Sequence, residues 1–288
     1  MNILRKPQWL RVSRQTNQQY AQVNQLIQQG CLNTICKSGK CPNQAECWSN
    51  GTATFMLLGD ICTRGCRFCA TKTGRPLPPN PIEPHQLAKS VALMKLKHVV
   101  LTSVTRDDLP DQGANHWNLC ITAIKILNPN TTIEALTPDF QAQAQLIKTV
   151  LDAKPHIFAH NIETVEQLTT HVRAKATYKQ SLNTLYIAKQ LCPDIPTKSS
   201  FMLGLGENKQ QILQTMDDLR NVGVTILTIG QYLQPSKQHL PVQQYITPEQ
   251  FQQYKLIAID KGFTHVQSAP LVRSSYHAEK ALQNTLAQ

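Results

Sequence analysis

Short apolar runs alternate with longer helical segments along the chain from residue 50 onward. The apolar runs span residues 53–58, 98–102, 132–136, 156–160, 199–203 and 225–229. Helical spacing of apolar residues predicts helices near 85–96, 114–127, 141–153, 177–191, 208–221 and 248–261, with a Gln-rich one at 14–30. Six strand–helix units predict a parallel sheet, either doubly wound or an incomplete (β/α)6 barrel. A full eight-unit barrel needs about 250 residues, and about 210 are available here.

The basic charge of the chain is concentrated near its N-terminus. Lys and Arg number 29 against 18 Asp and Glu, which gives a net charge of +11 with His neutral. The first acidic residue is Glu46, and six basic residues precede it: Arg5, Lys6, Arg11, Arg14, Lys37 and Lys40. A solvated positive face and a docking surface for an acidic macromolecule both explain this pattern. No nucleic-acid motif accompanies the charge, so nucleic acid is not an expected partner.

Targeting and membrane signals are not evident in the sequence. No stretch approaches the roughly 20 apolar residues of a membrane span, and the opening MNILRKPQWLRV lacks the apolar centre of a secretory signal. We therefore expect a cytoplasmic protein with no membrane partner. Nine cysteines in such a chain favour metal or redox chemistry over a disulfide scaffold.

Three cysteines lie directly after the first predicted strand, in the order Cys62, Cys66 and Cys69. Their spacing is C-x3-C-x2-C, on a loop at the carboxyl end of a strand, where α/β folds place their chemistry. Closely spaced thiolates repel one another unless a cation holds them. Structural zinc uses four ligands, whereas three suit a [4Fe–4S] cluster with one open iron. A zinc site that borrows a fourth ligand is the alternative.

A second triad lies upstream, at Cys36, Cys41 and Cys47, with the spacing C-x4-C-x5-C. Neither gap is the two-residue gap of zinc ribbons, and three cysteines are too few to close a four-cysteine site. Cys31 is a candidate fourth ligand on spacing alone, and a residue from the far end of the chain is the other possibility. Cys120 and Cys192 fall inside helical patterns and are predicted to be buried small hydrophobes.

The first triad has the signature of the radical S-adenosylmethionine (SAM) superfamily, and the whole chain resembles lipoyl synthase. The phrases that carry the resemblance are CPNQAEC, GTATFMLLGDICTRGCRFC, LTSVTRDDLPDQGANHW, IEALTPDF, HNIETV, MLGLGE and RSSYHA, between residues 6 and 278. The resemblance implies a partial (β/α)6 TIM-like barrel of the radical SAM type. Residues 50–262 would form it, with an N-terminal extension (1–49) and a C-terminal segment (263–288) that returns to the second triad.

The resemblance also implies a reaction. Lipoyl synthase is a sulfurtransferase that inserts two sulfur atoms at C6 and C8 of an octanoyl chain bound to a lysine of a carrier protein. That carrier is a lipoyl domain or the glycine-cleavage H protein. The implied cofactors are SAM and two [4Fe–4S] clusters, one of which is the sulfur source, and an external donor such as ferredoxin or flavodoxin supplies electrons.

Carried over residue by residue, the family pattern makes Cys62, Cys66 and Cys69 the ligands of the SAM-binding cluster, with Phe68 in the aromatic position. Cys36, Cys41 and Cys47 would hold the sulfur-donating cluster, with Ser275 of the RSSY motif as fourth ligand. Cys31 lies outside this pattern. Without the resemblance, Ser274 or Ser275 reads as the N-cap of a helix at 276–286.

The resemblance further implies SAM contacts from Gly204, Gly206 and Glu207, although a tight strand–helix turn explains the same glycines. Asn161, Arg173 and, at the site rim, Glu134 and His160 are further candidates. For Asp107 and Asp108, after the second strand, two interpretations stand side by side: binding of the SAM ribose or amine, and a solvated loop turn. Two other interpretations stay open: another radical SAM enzyme with an auxiliary cluster, and an iron–sulfur carrier without enzymatic activity.

Overall fold

The computed structural model describes residues 5–12 and 15–281. Its strands are β1 (Asn33–Thr34), β2 (Thr54–Leu57), β3 (Ile61–Cys62), β4 (Lys72–Thr73), β5 (His98–Ser103), β6 (Thr132–Leu136), β7 (Ile157–Ala159), β8 (Thr197–Leu203), β9 (Ile226–Gln231) and β10 (His265–Ser268). Eight of them form one sheet in the order β1-β2-β5-β6-β7-β8-β9-β10. Strand β1 is antiparallel to β2, and every other neighbouring pair of this sheet is parallel. Strands β3 and β4 form a separate parallel pair beside the cysteine loop.

Helices connect successive parallel strands. They are α1 (Gln18–Gln29), α2 (Ile35–Ser38), α3 (Gln44–Ser49), α4 (Glu83–Leu93), α5 (Ala114–Leu127), α6 (Ala144–Asp152), α7 (Glu166–Val172), α8 (Tyr178–Leu191), α9 (Lys209–Asn221) and α10 (Pro248–Asp260). Side chains fix several starts: Asn208 and Thr247 each form a capping box with a Gln three residues on. Within the described ranges, no helix combines the length and apolar character needed to cross a bilayer.

The predicted fold class is confirmed, and the structure adds elements that periodicity did not reveal. Each of the six predicted strands is present, with small shifts at its ends. The sheet also includes the four-residue β10, so the predicted boundary at residue 262 falls one strand before the sheet ends. The seven-residue α7 was not predicted either. Both elements are too short for a periodic pattern to stand out from the surrounding loops.

The N-terminal extension packs on the sheet. Val23 and Ile27 of α1 and Trp48 of α3 are buried in the same apolar core as Phe55 of β2. The ring of Tyr20 lies 5.2 Å from that of Trp48. This contact fixes the segment that carries the second cysteine triad against the first strands of the sheet.

An ion pair crosses the sheet interior between β6 and β8. Lys198 Nζ lies 2.8 Å from Glu134 Oε2, and both side chains are almost completely buried. The position of Glu134 in the sequence suggested that it lies on the rim of the site. In the structure it is instead paired with Lys198 inside the fold. Such a pair tolerates burial only while both partners are present.

Candidate functional site

The carboxyl ends of the parallel strands open into a cavity of about 530 Å³, called here the large cavity. Its wall includes all three cysteines of the first triad and two of the second: Cys62, Cys66, Cys69, Cys36 and Cys41. Residues that follow β5, β6, β7 and β9 complete the wall. This is the edge at which parallel α/β folds bind their ligands. The two cysteine motifs, which are separate in the sequence, therefore share one space.

Hydrogen bonds within the loop and from other parts of the chain hold the first triad in place. The amide groups of Arg64 and Thr105 each lie 3.4 Å from Cys62 Sγ. Farther along the loop, Arg67 donates its N–H to the Val172 carbonyl, and the Leu240 N–H donates back to Arg67. The His239 ring lies 3.0 Å from the Cys69 carbonyl. The three thiols are thus presented by a loop with a defined path.

Arg64, the arginine of the CTRGC phrase, ties this loop to two neighbouring strand ends. Its guanidinium lies 2.7 Å from Asp107 and 2.7 Å from Asp139, and it is nearly buried. Burial lowers the pKa of Arg64, but the hydrogen bonds to the two carboxylates outweigh it and raise that pKa. Asp107 is therefore occupied by an arginine, and Asp108 pairs with Arg106 at 2.8 Å. Both carboxylates are thus paired with arginines in this arrangement.

The first triad has the electrostatics of a site built for cations. Burial raises the pKa of the Cys66 and Cys69 thiols, and each thiol is further disfavoured as thiolate by another cysteine of the triad. Three partly buried thiolates on one loop need positive charge nearby to be stable. The donor set of three sulfurs on one loop thus fits an iron–sulfur cluster with one iron open to a ligand.

Two buried polar atoms in the large cavity have no hydrogen-bond partner among the described residues: Asn161 Oδ1 and Arg173 Nε. One is an acceptor and the other a cationic donor. Arg173 is held in place by its Nη1, which lies 2.6 Å from Ser181 Oγ. Unsatisfied buried groups are costly unless a ligand meets them. This pair suits a molecule with both an ammonium and a carboxylate group.

Glu163 is a cavity residue that the sequence did not reveal. It lies two residues beyond Asn161, its backbone adopts a left-handed conformation with φ of 69°, and it lines the large cavity. Burial raises the pKa of its carboxyl, and Arg173 opposes that effect. A glutamate within HNIETV gives no signal by itself, since its role depends on how β7 ends.

The predicted SAM residues divide into two groups. Asn161, Arg173 and Phe68 line the large cavity, whereas Gly204, Gly206 and Glu207 are not part of its wall. The Glu207 carboxylate accepts the backbone N–H groups of Gly204 and Leu205 and so closes the turn after β8. A Cβ at position 204 would lie 2.1 Å from Gln231 Nε2, and φ there is +101°. The turn itself therefore requires that glycine.

A second cavity of about 320 Å³, called here the small cavity, lies between the N-terminal extension and the C-terminal segment. Cys36, Cys41, Cys47 and Ser275 all line it. Ser275 Oγ accepts a hydrogen bond of 2.9 Å from the Thr54 hydroxyl, 221 positions away. Residues 274–278 form turns, and the helical segment begins at position 279, so neither Ser274 nor Ser275 is its N-cap. Most of the predicted helix at 276–286 lies outside the described residues.

The second triad shows the same mutual repulsion as the first. Burial, followed by the proximity of Cys36 and Cys41, raises the pKa of Cys47 to about 12. Burial also raises the pKa of the Cys36 and Cys41 thiols. The partly buried Arg273 lies near Cys41 and lines both cavities. Three thiols and a hydroxyl around one cavity match the donor set that an auxiliary [4Fe–4S] cluster needs.

The other three cysteines stand apart from both cavities. Cys31 is exposed and lines neither one. Cys120 is buried in α5, as predicted, whereas Cys192 follows the end of α8 and is half-buried against the core. Cys120 also lies beside Glu83 and His116, in a buried group whose ligand atoms are within 4.8 Å of one another.

Comparison with known proteins identifies relatives over nearly the whole chain. Residues 56–219 match the radical SAM superfamily. The lipoyl synthase of Bacteroides fragilis (strain YCH46) is 54% identical over 281 residues, which cover 97% of this chain and 96% of that protein. The lipoyl synthase of Treponema denticola is 53% identical over 277 residues, which cover 96% and 94% of the two chains.

Solved structures share the fold at much lower identity. Methylornithine synthase (PylB) aligns with a TM-score of 0.53 at 13% identity, over 85% of this chain and 81% of its own. HydG, a maturase of the [FeFe]-hydrogenase, aligns with a TM-score of 0.55 at 11% identity, over 91% and 74%. SuiB of Streptococcus suis bound to S-adenosylmethionine aligns with a TM-score of 0.55 at 10% identity, over 76% of this chain and 51% of its own. These likenesses concern the fold.

Proposed function

This chain belongs to the lipoyl synthase family, and from that premise we propose that its large cavity joins a radical-generating site to a sulfur-donating site. The chain is a sulfurtransferase that uses SAM and two [4Fe–4S] clusters. The assignment of individual residues to these tasks is our proposal. Cys36, Cys41 and Ser275 carry it, because they line both the large and the small cavity. A substrate in the large cavity would therefore face both triads at once.

When bound, SAM and the clusters supply an electron, a means of removing hydrogen from unactivated carbon, and the sulfur to be inserted. Cys62, Cys66 and Cys69 would hold the first cluster and leave it one open position. Cys36, Cys41, Cys47 and Ser275 would hold the second. A hydroxyl is a harder ligand than a thiolate and is easier to release when protonated, which suits a cluster that must give up its sulfur.

The protein's own contribution is to orient ligands and to exclude water. Arg173 Nε would donate to the SAM carboxylate, and Asn161 Oδ1 would accept from its ammonium group. Phe68 packs with Val172, Tyr232 and Leu240 and offers an apolar surface beside the cysteine loop. Gly204, Gly206 and Glu207 would act on SAM through the shape of the turn that ends β8.

The substrate we propose is an octanoyl chain carried on a lysine of a lipoyl domain or of the glycine-cleavage H protein. Apolar side chains such as Leu136, Met202 and Leu233 line the large cavity and suit an alkyl chain. Lys6 and Lys40 are exposed residues of the same wall. They would meet an acidic carrier at the mouth. An external donor such as ferredoxin or flavodoxin would supply electrons, and a reducing cytoplasm would keep the thiols available.

The experiment that tests the proposal is anaerobic reconstitution with iron and sulfide, followed by reaction with SAM, a reductant and an octanoyl-lysine peptide. Mass analysis is expected to show two added sulfur atoms on the peptide. 5′-Deoxyadenosine without sulfur insertion would indicate a different radical SAM reaction. An iron–sulfur carrier would produce no 5′-deoxyadenosine at all.

A further inference from the structure

Asn43, the residue just before helix α3, and Glu46 within that helix hold the C-terminal segment at points on either side of Ser275. Asn43 Nδ2 donates to the Leu271 carbonyl at 2.7 Å. The Tyr276 hydroxyl donates to Glu46 Oε1, also at 2.7 Å. Asn43 is the N-cap residue of α3 and Glu46 lies in its first turn, so both contacts come from the start of this short helix. Both belong to the CPNQAEC phrase, and both contacts span more than 220 positions of the chain.

Asn43 connects the tail directly to the second cysteine triad. Its side chain is 2% exposed, and its backbone N–H hydrogen-bonds the thiol of Cys41. The same residue thus contacts a candidate cluster ligand through its main chain and the tail through its amide. A displacement of the tail at Leu271 would be transmitted to the position of Cys41.

The segment between the two contacts carries Arg273, which lies near Cys41, and Ser275. Residues 272–275 cross β9 at Gly230, where an added Cβ would lie 2.1 Å from the Val272 carbonyl. Beyond that crossing, the Ser275 hydroxyl is held by Thr54, and Tyr276 is the next residue. Fixing a short segment at both ends removes far more conformational freedom than fixing one end.

We propose that Asn43 and Glu46 are positioning residues for Ser275, through a pair of hydrogen bonds that we call the tail clamp: Asn43–Leu271 and Glu46–Tyr276. This inference rests on the proposed role of Ser275 as a cluster ligand. The two bonds differ in setting. The Asn43 bond is partly buried and the Glu46 bond is exposed to water. The Glu46 side opens more readily, and it lets Ser275 leave the cluster while Asn43 retains the rest of the tail.

The test is a double-mutant cycle of Glu46→Ala and Tyr276→Phe. It is made in a Cys62→Ala/Cys66→Ala/Cys69→Ala background, so that bound iron reports the second cluster alone. The rate of iron transfer to a chelator is expected to rise about three- to tenfold in each single variant, the range expected for the loss of one hydrogen bond. The double variant is expected to be no faster than the faster single variant. Glu46→Gln, which keeps an acceptor oxygen, is expected to stay within about twofold of the background.

A second readout needs no cluster. In the apo-protein, amide hydrogen exchange across residues 272–278 is expected to accelerate in Glu46→Ala and Tyr276→Phe, with exchange in β8 and β9 unchanged. Tyr186→Phe, at an exposed tyrosine of α8, is the matched control and is expected to match the parent in both measurements.

The outcomes separate the clamp from the function on which it rests. If the two single effects add in the double variant, or if neither variant changes iron release, the clamp is refuted. If Ser275→Ala releases iron no faster than its background, the ligand role of Ser275 is refuted instead. Faster release in Ser275→Ala, with parental rates in both clamp variants, would leave the ligand role intact and remove Glu46 and Tyr276 from it.

Discussion

The carboxylate of Glu83 lies 2.6 Å from His116 Nε2, and the same oxygen accepts the backbone N–H of Leu58 at 3.0 Å. Leu58 is the residue at which β2 passes into the loop of the first triad, and its φ of 68° is in the left-handed region that a leucine rarely adopts. Arg106 Nη1 donates to the Leu58 carbonyl. The strained start of the cysteine loop is thus fixed from both sides by buried side chains.

His116→Ala is expected to destabilise the apo-protein by about 1–3 kcal/mol, because it leaves the buried Glu83 carboxylate with only the Leu58 N–H as a hydrogen-bond donor. Urea unfolding followed by circular dichroism measures the loss. His85→Ala, at an exposed histidine of the same helix as Glu83, is the matched control and is expected to change stability by less than about 0.5 kcal/mol. Equal losses in the two variants would show that the buried pair does not support the loop.

The reconstituted protein is expected to hold about eight irons per chain, four in each cluster. Replacing Cys62, Cys66 and Cys69 with Ala is expected to leave about four and to abolish SAM cleavage, because these thiols are the proposed ligands of the open cluster. Iron analysis and chromatographic detection of 5′-deoxyadenosine measure the two effects. Continued SAM cleavage by the triple variant would contradict the assignment of the first triad.

Lys40→Gln is expected to raise the KM for an acidic carrier domain by about threefold at low salt and to leave kcat unchanged. Lys40 is exposed at the wall of the large cavity, and complementary surface charge mainly accelerates encounter. Added salt is expected to reduce the difference between variant and parent, since it screens exposed charges. Lys179→Gln, on α8, is the control. A short neutral octanoyl-lysine peptide that is as sensitive to salt as the carrier would argue against docking by charge.

Acid is expected to destabilise the fold through His160. Burial, followed by the nearby Arg173, lowers the pKa of His160 from 6.5 to about 4 in the folded protein. Below about pH 6.5 the unfolded chain binds a proton that the folded chain excludes, so the free energy of unfolding decreases until about pH 4 and then levels off. Between pH 7 and pH 5 this histidine is expected to account for about 2 kcal/mol.

Urea unfolding of the apo-protein at pH 7 and pH 5 measures that decrease. His160→Asn retains an N–H donor for the Thr137 carbonyl, which lies 2.9 Å from His160 Nδ1, and has no group that titrates in this range. Its stability is expected to fall less between the two pH values than that of the parent. Parallel losses in both proteins would mean that His160 is not the group responsible.

The pattern of apolar residues was sufficient to locate, from the sequence alone, the strands that are buried on both faces. Strand β2 is buried at every position and is recognisable as an uninterrupted apolar run. Strand β8 begins two residues before its predicted start. The prediction missed these residues because a lysine is not expected in a buried strand, and Lys198 is buried here only because it pairs with Glu134 on another strand. No local pattern reveals a partner that distant. The four residues of strand β10 have no pattern that predicts a strand, and only their pairing with β9 in the structure identifies them as one.

Spacing located the cysteine loops, but it did not reveal what surrounds them. Glu163 and Arg273 enter the cavities through the path of the chain between elements, which composition does not encode. The sequence correctly indicated that position 204 requires glycine. The reason is that a Cβ there would collide with the Gln231 side chain on the neighbouring strand. A glycine after a strand therefore indicates a close approach without indicating what approaches.

Ser275→Ala is expected to spare SAM cleavage and to stop lipoyl formation. The second triad supplies three thiols to the small cavity, and Ser275 supplies the one hydroxyl that the family pattern assigns there. The first triad does not depend on it, so 5′-deoxyadenosine is expected at the parental rate. Mass analysis of an octanoyl-lysine peptide measures sulfur insertion in the same reaction.

Cys31→Ala is the matched control for that variant, because Cys31 is the remaining cysteine of the N-terminal extension and is exposed away from both cavities. It is expected to bind iron and form product as the parent does. The reverse pattern, in which Cys31→Ala loses the second cluster while Ser275→Ala makes lipoyl product normally, would transfer the fourth ligand from the tail to Cys31. The tail would then have to move away and the segment at Cys31 turn inward, contrary to the contact between Thr54 and Ser275.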